Sequence, residues 1–105
     1  MGNRPDWANS PRWARWVAMD GDGFWRWHEA EPIPGRFSWT HKAIDDYLFN
    51  NSNGVHHIDF TPETLHNLGL PREESCHCYS RDNLESWKAT LERRPSDRRV
   101  IEVGR

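Results

Sequence analysis

Aliphatic residues are scarce in this chain. Leu, Ile, Val and Phe together make 18 of its 105 residues, and mean hydropathy is −0.99. A deficit of that kind accompanies disorder when net charge is high and aromatics are few. Neither condition holds, because the formal charge is −2 and the chain carries 7 Trp, 4 Phe and 2 Tyr. Long apolar runs are missing too: none approaches the ~18 residues of a membrane-spanning helix. Residues 1–20 lack the apolar centre of a secretory signal. Two cysteines, Cys76 and Cys78, are too few to staple a secreted mini-protein, so a reducing cytoplasm is expected. Charge of one sign is absent as well. An isoelectric point near 6.3 suits neither a nucleic-acid coat nor an acidic mimic of DNA, and direct nucleic-acid binding is not expected.

What is present is aromatic. Indole rings bury more area than aliphatic side chains, so they can replace part of a missing aliphatic core. Residues 1–12, broken by Pro5 and Pro11, read as an extended lead-in anchored by Trp7. Ala14–Met19 and Phe24–His28 flank Asp20-Gly21-Asp22-Gly23, and Asp-Gly between two such runs signals a hairpin. Alternation places Trp25 and Trp27 on one face and Phe24, Arg26 and His28 on the other. A further strand is expected from Phe37 to Trp39, and another from Val55 to Phe60. His41–Asn50 has helical spacing. Thr61-Pro62-Glu63 is a helix start, closed by Gly69 and Pro71. Ser80 heads an expected helix over Arg81 to about Arg93, striped by Leu84, Trp87 and Leu91 and stopped at Pro95. Arg99–Val103 reads as a last strand. The expected fold is a single small α+β domain: a Trp-rich antiparallel hairpin or three-stranded sheet against a C-terminal helix, with one or two short helices.

Four constellations bear on chemistry. Six of the seven tryptophans precede residue 40, and Trp16, Trp25 and Trp27 share one hairpin. They read either as core or as a platform on which a base, sugar or cation stacks, with Arg26 at hand for a phosphate. One face inward and one or two rings exposed is the expected compromise. His28, His56, His57, His66 and Cys76-His77-Cys78 raise the question of zinc. Cys-x-Cys without a second pair is not a structural zinc spacing, and adjacent histidines on a strand diverge. Cys76 and Cys78 are therefore expected to be small buried hydrophobes, and neither a metal site nor a cofactor is assigned, Cys76, Cys78 and His57 being the candidates weighed. His28 and His41 could act as bases, but no spacing pairs them with a nucleophile. Asp20-Gly-Asp22-Gly23 fails as a calcium loop because Trp25 occupies a ligand position. An enzyme is not expected. Finally, residues 43–75 carry six acids against Arg72, whereas residues 88–105 carry six bases against three acids. That dipole reads as a solvated helix end and tail, or as a surface that steers a partner through Arg93 and Arg94, Arg98 and Arg99.

Two stretches resemble a known group. Trp13-Ala14-x-Trp16-x-Ala18-x-Asp20-x-x-Gly23-x-Trp25-x-Trp27, preceded by Asp6-Trp7 and closing on Glu31-Pro32, is similar to the opening of small accessory proteins of tailed bacteriophages and prophages. Trp87-Lys88-Ala89-Thr90-Leu91-Glu92-Arg93-Arg94-Pro95 resembles their Trp-x-x-Ser-Leu-x-x-Arg-Pro ending, with Thr90 in place of Ser. The likeness covers the two ends and not the middle. It implies a phage product in the host bacterial cytoplasm, of a kind that binds and disables a host component, CRISPR and other defences included. No catalytic residue is implied.

The expected function is therefore a non-enzymatic phage protein that inhibits a bacterial host protein, in its most specific form an anti-defence protein of the anti-CRISPR type. Its expected anchors are Trp25, Trp27 and Arg26, then Arg93 and Arg94. The alternative is a pocket that sequesters a nucleotide signal stacked on Trp16, Trp25 or Trp39.

Overall fold

The computed structural model describes residues 4–50, 61–81 and 84–95. The expected strands Val55–Phe60 and Arg99–Val103, and with them His57, Arg98 and Arg99, lie outside those residues. Within them the chain is a small α+β domain of antiparallel sheets and short helices. Strand β1 (Trp16–Met19) and strand β2 (Phe24–His28) form the expected hairpin, with Val17 opposite Trp27 and Met19 opposite Trp25. Strand β3 (Ile33–Pro34) pairs with β4 (Trp39–Thr40) in a separate two-stranded ribbon. Helices α1 (Lys42–Asn50) and α2 (Pro62–Asn67) follow. Strand β5 (Glu73–Tyr79) pairs with the free edge of β2, and β6 (Glu92–Arg93) with that of β1. The main sheet therefore runs β5-β2-β1-β6, antiparallel throughout.

Local chemistry explains most of these boundaries. In the β1–β2 turn the Gly23 amide donates to Asp20 O at 2.9 Å, and the Asp20 amide donates to Phe24 O at 2.9 Å. Gly23 has φ +94°, and a Cβ there would lie 2.5 Å from Ser80 O, so both the turn and the passing chain require glycine. Helix α2 starts as expected: Thr61 Oγ1 accepts from the Thr64 amide at 3.1 Å, and Pro62 occupies the first turn. It ends at Gly69, whose φ is +76°. The lead-in holds one 3₁₀ turn, Trp7–Asn9, capped by Asp6, and Trp7 anchors it by packing on Trp27 with ring centroids 5.1 Å apart.

Three segments depart from expectation, the first being the strand expected from Phe37 to Trp39, which begins only at Trp39 and pairs with Ile33–Pro34. Among the described residues, the helix predicted over Arg81–Arg93 is a 3₁₀ segment, Leu84–Ala89, with Ser86 already out of helical geometry, and the chain then becomes β6. The hydroxyl of Thr90 breaks the helix: Oγ1 donates to Trp87 O at 2.7 Å and accepts from the Met19 amide at 2.8 Å. This ties the chain to the end of β1 and sends Glu92 and Arg93 along its open edge. Strand β5 was not apparent from its sequence, Glu-Glu-Ser-Cys-His-Cys-Tyr, which lacks apolar alternation. His77 adopts φ +60° there and the pairing slips between Phe24 and Arg26, so β5 is bulged as well as polar.

The core is built from tryptophan. Trp25, Trp27, Trp39 and Trp87 are buried with Ala14, Val17, Ala18 and Met19, and Trp7, Trp13, Cys76, Cys78, Leu84 and Leu91 pack around them. Trp39 meets Trp87 edge to face at 5.8 Å. Removing such a ring leaves a large void, so Trp27→Ala should cost about 3–5 kcal/mol by urea unfolding. That is most of the margin of a domain this small, whereas Phe37→Ala, at 75% exposure, should stay within about 0.5 kcal/mol of the parent. Gly23→Ala should also lower the melting temperature, since any Cβ at that position meets backbone.

Candidate functional site

The expected anchors divide sharply once the elements are in place. Trp25, Trp27 and Trp39 are 3%, 4% and 6% exposed, so none presents a face to a partner, a correction to their expected role as contact residues. Their surroundings show why. Trp25 Nε1 donates to Ser80 Oγ at 3.0 Å and Trp39 Nε1 to Met19 O at 2.9 Å, satisfying the indole N–H groups inside the fold. The ring faces that remain are covered by the chain's own cations: Arg4 lies 4.9 Å from the Trp25 centroid, Arg72 5.4 Å from Trp13 and Arg94 5.5 Å from Trp7.

Trp16 is half-buried, with the Arg93 guanidinium 5.9 Å from its centroid across the β1–β6 pair. Arg93 itself is exposed. Arg94 is occupied structurally: its guanidinium donates to Ala14 O at 2.7 Å and Pro11 O at 3.2 Å, holding the lead-in onto the sheet. Arg26 is likewise engaged, with Nε 3.1 Å from Asp20 Oδ2. Asp20 is buried and also accepts from the Trp39 amide at 2.9 Å, so one carboxylate joins the hairpin turn to β4. Burial pushes its carboxyl pKa up, against the opposing pull of those two donors.

Among the described residues, two features are the best placed to act on something else. The first is an apolar cleft beside the β1–β2 turn, about 510 Å³, lined by Gly21, Phe37, Leu84 and Trp87 with Asp22 and Glu85 also in its wall. Close by, Phe24 packs on Tyr79 with centroids 4.8 Å apart and ring planes tilted by 48°, and the pair is partly exposed. Gly23 connects the two, since a Cβ on it would lie 2.7 Å from the Tyr79 ring and 3.1 Å from Leu84. None of Phe24, Phe37, Leu84 and Tyr79 stood out as a contact residue in the sequence. Tryptophan drew attention first, while Phe24, directly after Gly23, and Phe37, two residues after Gly35, carried the available signal.

The second feature is internal. His28 on β2, His41 immediately before α1, and Glu73 opposite His28 on β5 converge, one ligand atom from each lying within 4.8 Å of the others. His28 Nδ1 is 2.9 Å from His41 Nε2 and 3.6 Å from Glu73 Oε1. His28 is fully buried, and its Nε2 has no hydrogen-bond partner among the described residues. A proton on Nε2 would be an unpaired buried donor, so the favoured tautomer carries it on Nδ1, directed at His41. Burial, reinforced by His41, lowers the His28 pKa to about 3 and holds the ring neutral. Burial also lowers the His41 pKa, and it raises that of Glu73 with help from Asp20 and Asp45. In the sequence His28 was visible as a candidate base and among the histidines that raised zinc, His41 only as a candidate base, and Glu73 only as part of a charge count.

Cys76 and Cys78 lie on β5, half-buried against the Trp core and apart from this cluster. Burial, with Cys78 and Glu74 nearby, pushes the Cys76 thiol pKa well up. Cys76 should therefore resist iodoacetamide in the native protein at pH 8 and alkylate readily in urea, as read by peptide mass mapping.

Among the described residues no helix is long and apolar enough to cross a membrane. Comparison with protein-family models, with curated proteins and with solved structures found no match.

Proposed function

We propose that this chain is a phage-encoded, non-enzymatic binding protein that acts in the bacterial cytoplasm by occupying a surface of a host protein, in its most specific form a component of a defence system. The resemblance of its hairpin and its Trp87–Pro95 segment to phage accessory proteins supplies the setting. The observation that carries the binding reading is the apolar cleft at the turn, where Phe37 stands 75% exposed beside Trp87 and Leu84. Exposed apolar surface next to a rigid turn marks an interaction site, and aromatic anchors dominate interface energies.

The partner's chemistry follows from the cleft wall. Asp22 and Glu85 flank the apolar floor, so the complementary element is an apolar side chain with basic neighbours. Binding of that kind needs no reacting group, and inhibition follows if the covered surface is one the host protein uses. The nucleotide-sequestering alternative draws little support, because Trp25 and Trp39 are buried and Arg93 already stands over the Trp16 ring.

The test is to isolate the complex from a host lysate, identify the host protein by native mass spectrometry, and titrate it with Phe37→Asp and Phe24→Asp proteins. Both variants should retain the parent circular dichroism spectrum. Phe37→Asp should weaken binding by at least about thirtyfold, the equivalent of ~2 kcal/mol for a hot-spot aromatic. Parent-like affinity in both variants would remove the cleft from the interface. Saturable quenching of tryptophan fluorescence by a nucleotide would move the reading to sequestration.

A further inference from the structure

We propose that His28, His41 and Glu73 form a binding site for one divalent transition-metal ion of the zinc class, which ties β2, β5 and the start of α1 together. The donor set is two imidazoles and a carboxylate, ligands that zinc accepts readily. The geometry is close to what the ion needs. Tetrahedral zinc with bonds of about 2.0–2.1 Å holds its ligand atoms roughly 3.3 Å apart. His28 Nδ1 is 3.6 Å from Glu73 Oε1 and 2.9 Å from His41 Nε2, and the three ligand atoms all lie within 4.8 Å of one another, so small side-chain adjustments bring them to tetrahedral spacing. Water completes the fourth position on the Glu73 side, where the carboxylate side chain keeps 18% exposure.

The electrostatics favour a cation. Arg26, whose charge acts on Glu73, is itself paired with Asp20 at 3.1 Å, the charges of Asp20 and Asp45 both face Glu73, and among the described residues no Lys or Arg forms an ion pair with it. A divalent ion supplies that missing positive charge. Both rings are neutral, so each has a lone pair to give. Ligation moves the His28 ring proton from Nδ1 to Nε2, where no described residue accepts it. One unpaired buried N–H weighs less than the bonds of a three-ligand zinc site.

The rest of the chain offers rivals that the experiment must separate: the Cys76/Cys78 pair and the histidines outside the cluster. Tag-free protein would be stripped with chelator, then titrated with Zn²⁺ by calorimetry and with Co²⁺ by absorption spectroscopy. The proposal predicts one equivalent of Zn²⁺, a raised melting temperature that chelator reverses, and a Co²⁺ spectrum without the near-ultraviolet charge-transfer band of a thiolate ligand. Cys76→Ser/Cys78→Ser protein should bind as the parent does. His41→Gln and Glu73→Gln should each lose at least tenfold in affinity with the circular dichroism spectrum unchanged. No stoichiometric binding, a thiolate band, or loss of binding in the cysteine variant would each overturn the proposal. The cobalt spectrum of the parent decides the ligand type even if a substituted cluster fails to fold. The outcome is independent of whether the turn-side cleft binds a host protein.

Discussion

Every indole drawn into a core brings an N–H that must find an acceptor there, and much of this fold follows from that requirement. A chain with so few aliphatic residues has to bury tryptophan to exclude enough water. Burying the rings without partners for their nitrogens would give back a large part of what the area contributes. Trp25 solves this with Ser80 at the end of β5, and Trp39 with the carbonyl of Met19 at the end of β1. Trp7 directs its nitrogen to Glu92 on β6 at 3.3 Å. Each bond joins segments distant in sequence, so satisfying the rings also fixes which strands lie beside the central hairpin.

Once the tryptophans are committed inward, contact with other molecules falls to other side chains. Arginines lie over several of the indole faces that remain, and the same arginines tie the lead-in to β6 and the sheet. Among the described residues the most exposed aromatic side chains are phenylalanines and a tyrosine: Phe24, Phe37 and Tyr79 around the glycine turn, and Phe49 on α1. Four indoles, Trp25, Trp27, Trp39 and Trp87, are therefore inside, Trp7, Trp13 and Trp16 lie at the margin, and the most exposed rings are phenyl and phenol. A buried histidine pair with a carboxylate is the exception, polar chemistry set within the packing rather than on it.

Local signals were legible and tertiary ones were not. The Asp-Gly turn, the Thr61-Pro62 cap and the Gly69 stop each act within a few residues, and all three stand where the sequence places them. The α+β class follows from those signals. The spacing of Leu84, Trp87 and Leu91 suggested one long helix, because period alone does not reveal that the Thr90 hydroxyl is needed at Met19. Strand β5 lacked alternation, since its residues face a bulged edge and carry polar side chains. Burial of individual tryptophans was equally hidden: Trp16 and Trp27 sit on paired strands of one hairpin, yet one is half-exposed and the other is not. The convergence of residues 28, 41 and 73 depends on three separate elements, and no spacing announces it.

The claim beneath all of this is that the tryptophans are structural and that recognition belongs to the turn-side cleft. Acrylamide quenching of intrinsic tryptophan fluorescence, compared between native and urea-unfolded protein, tests it directly. With Trp25, Trp27, Trp39 and Trp87 all buried, the account predicts blue-shifted native emission and collisional quenching far weaker than in urea. Red-shifted native emission, quenched as steeply as that of the unfolded chain, would show the rings open to solvent and contradict it.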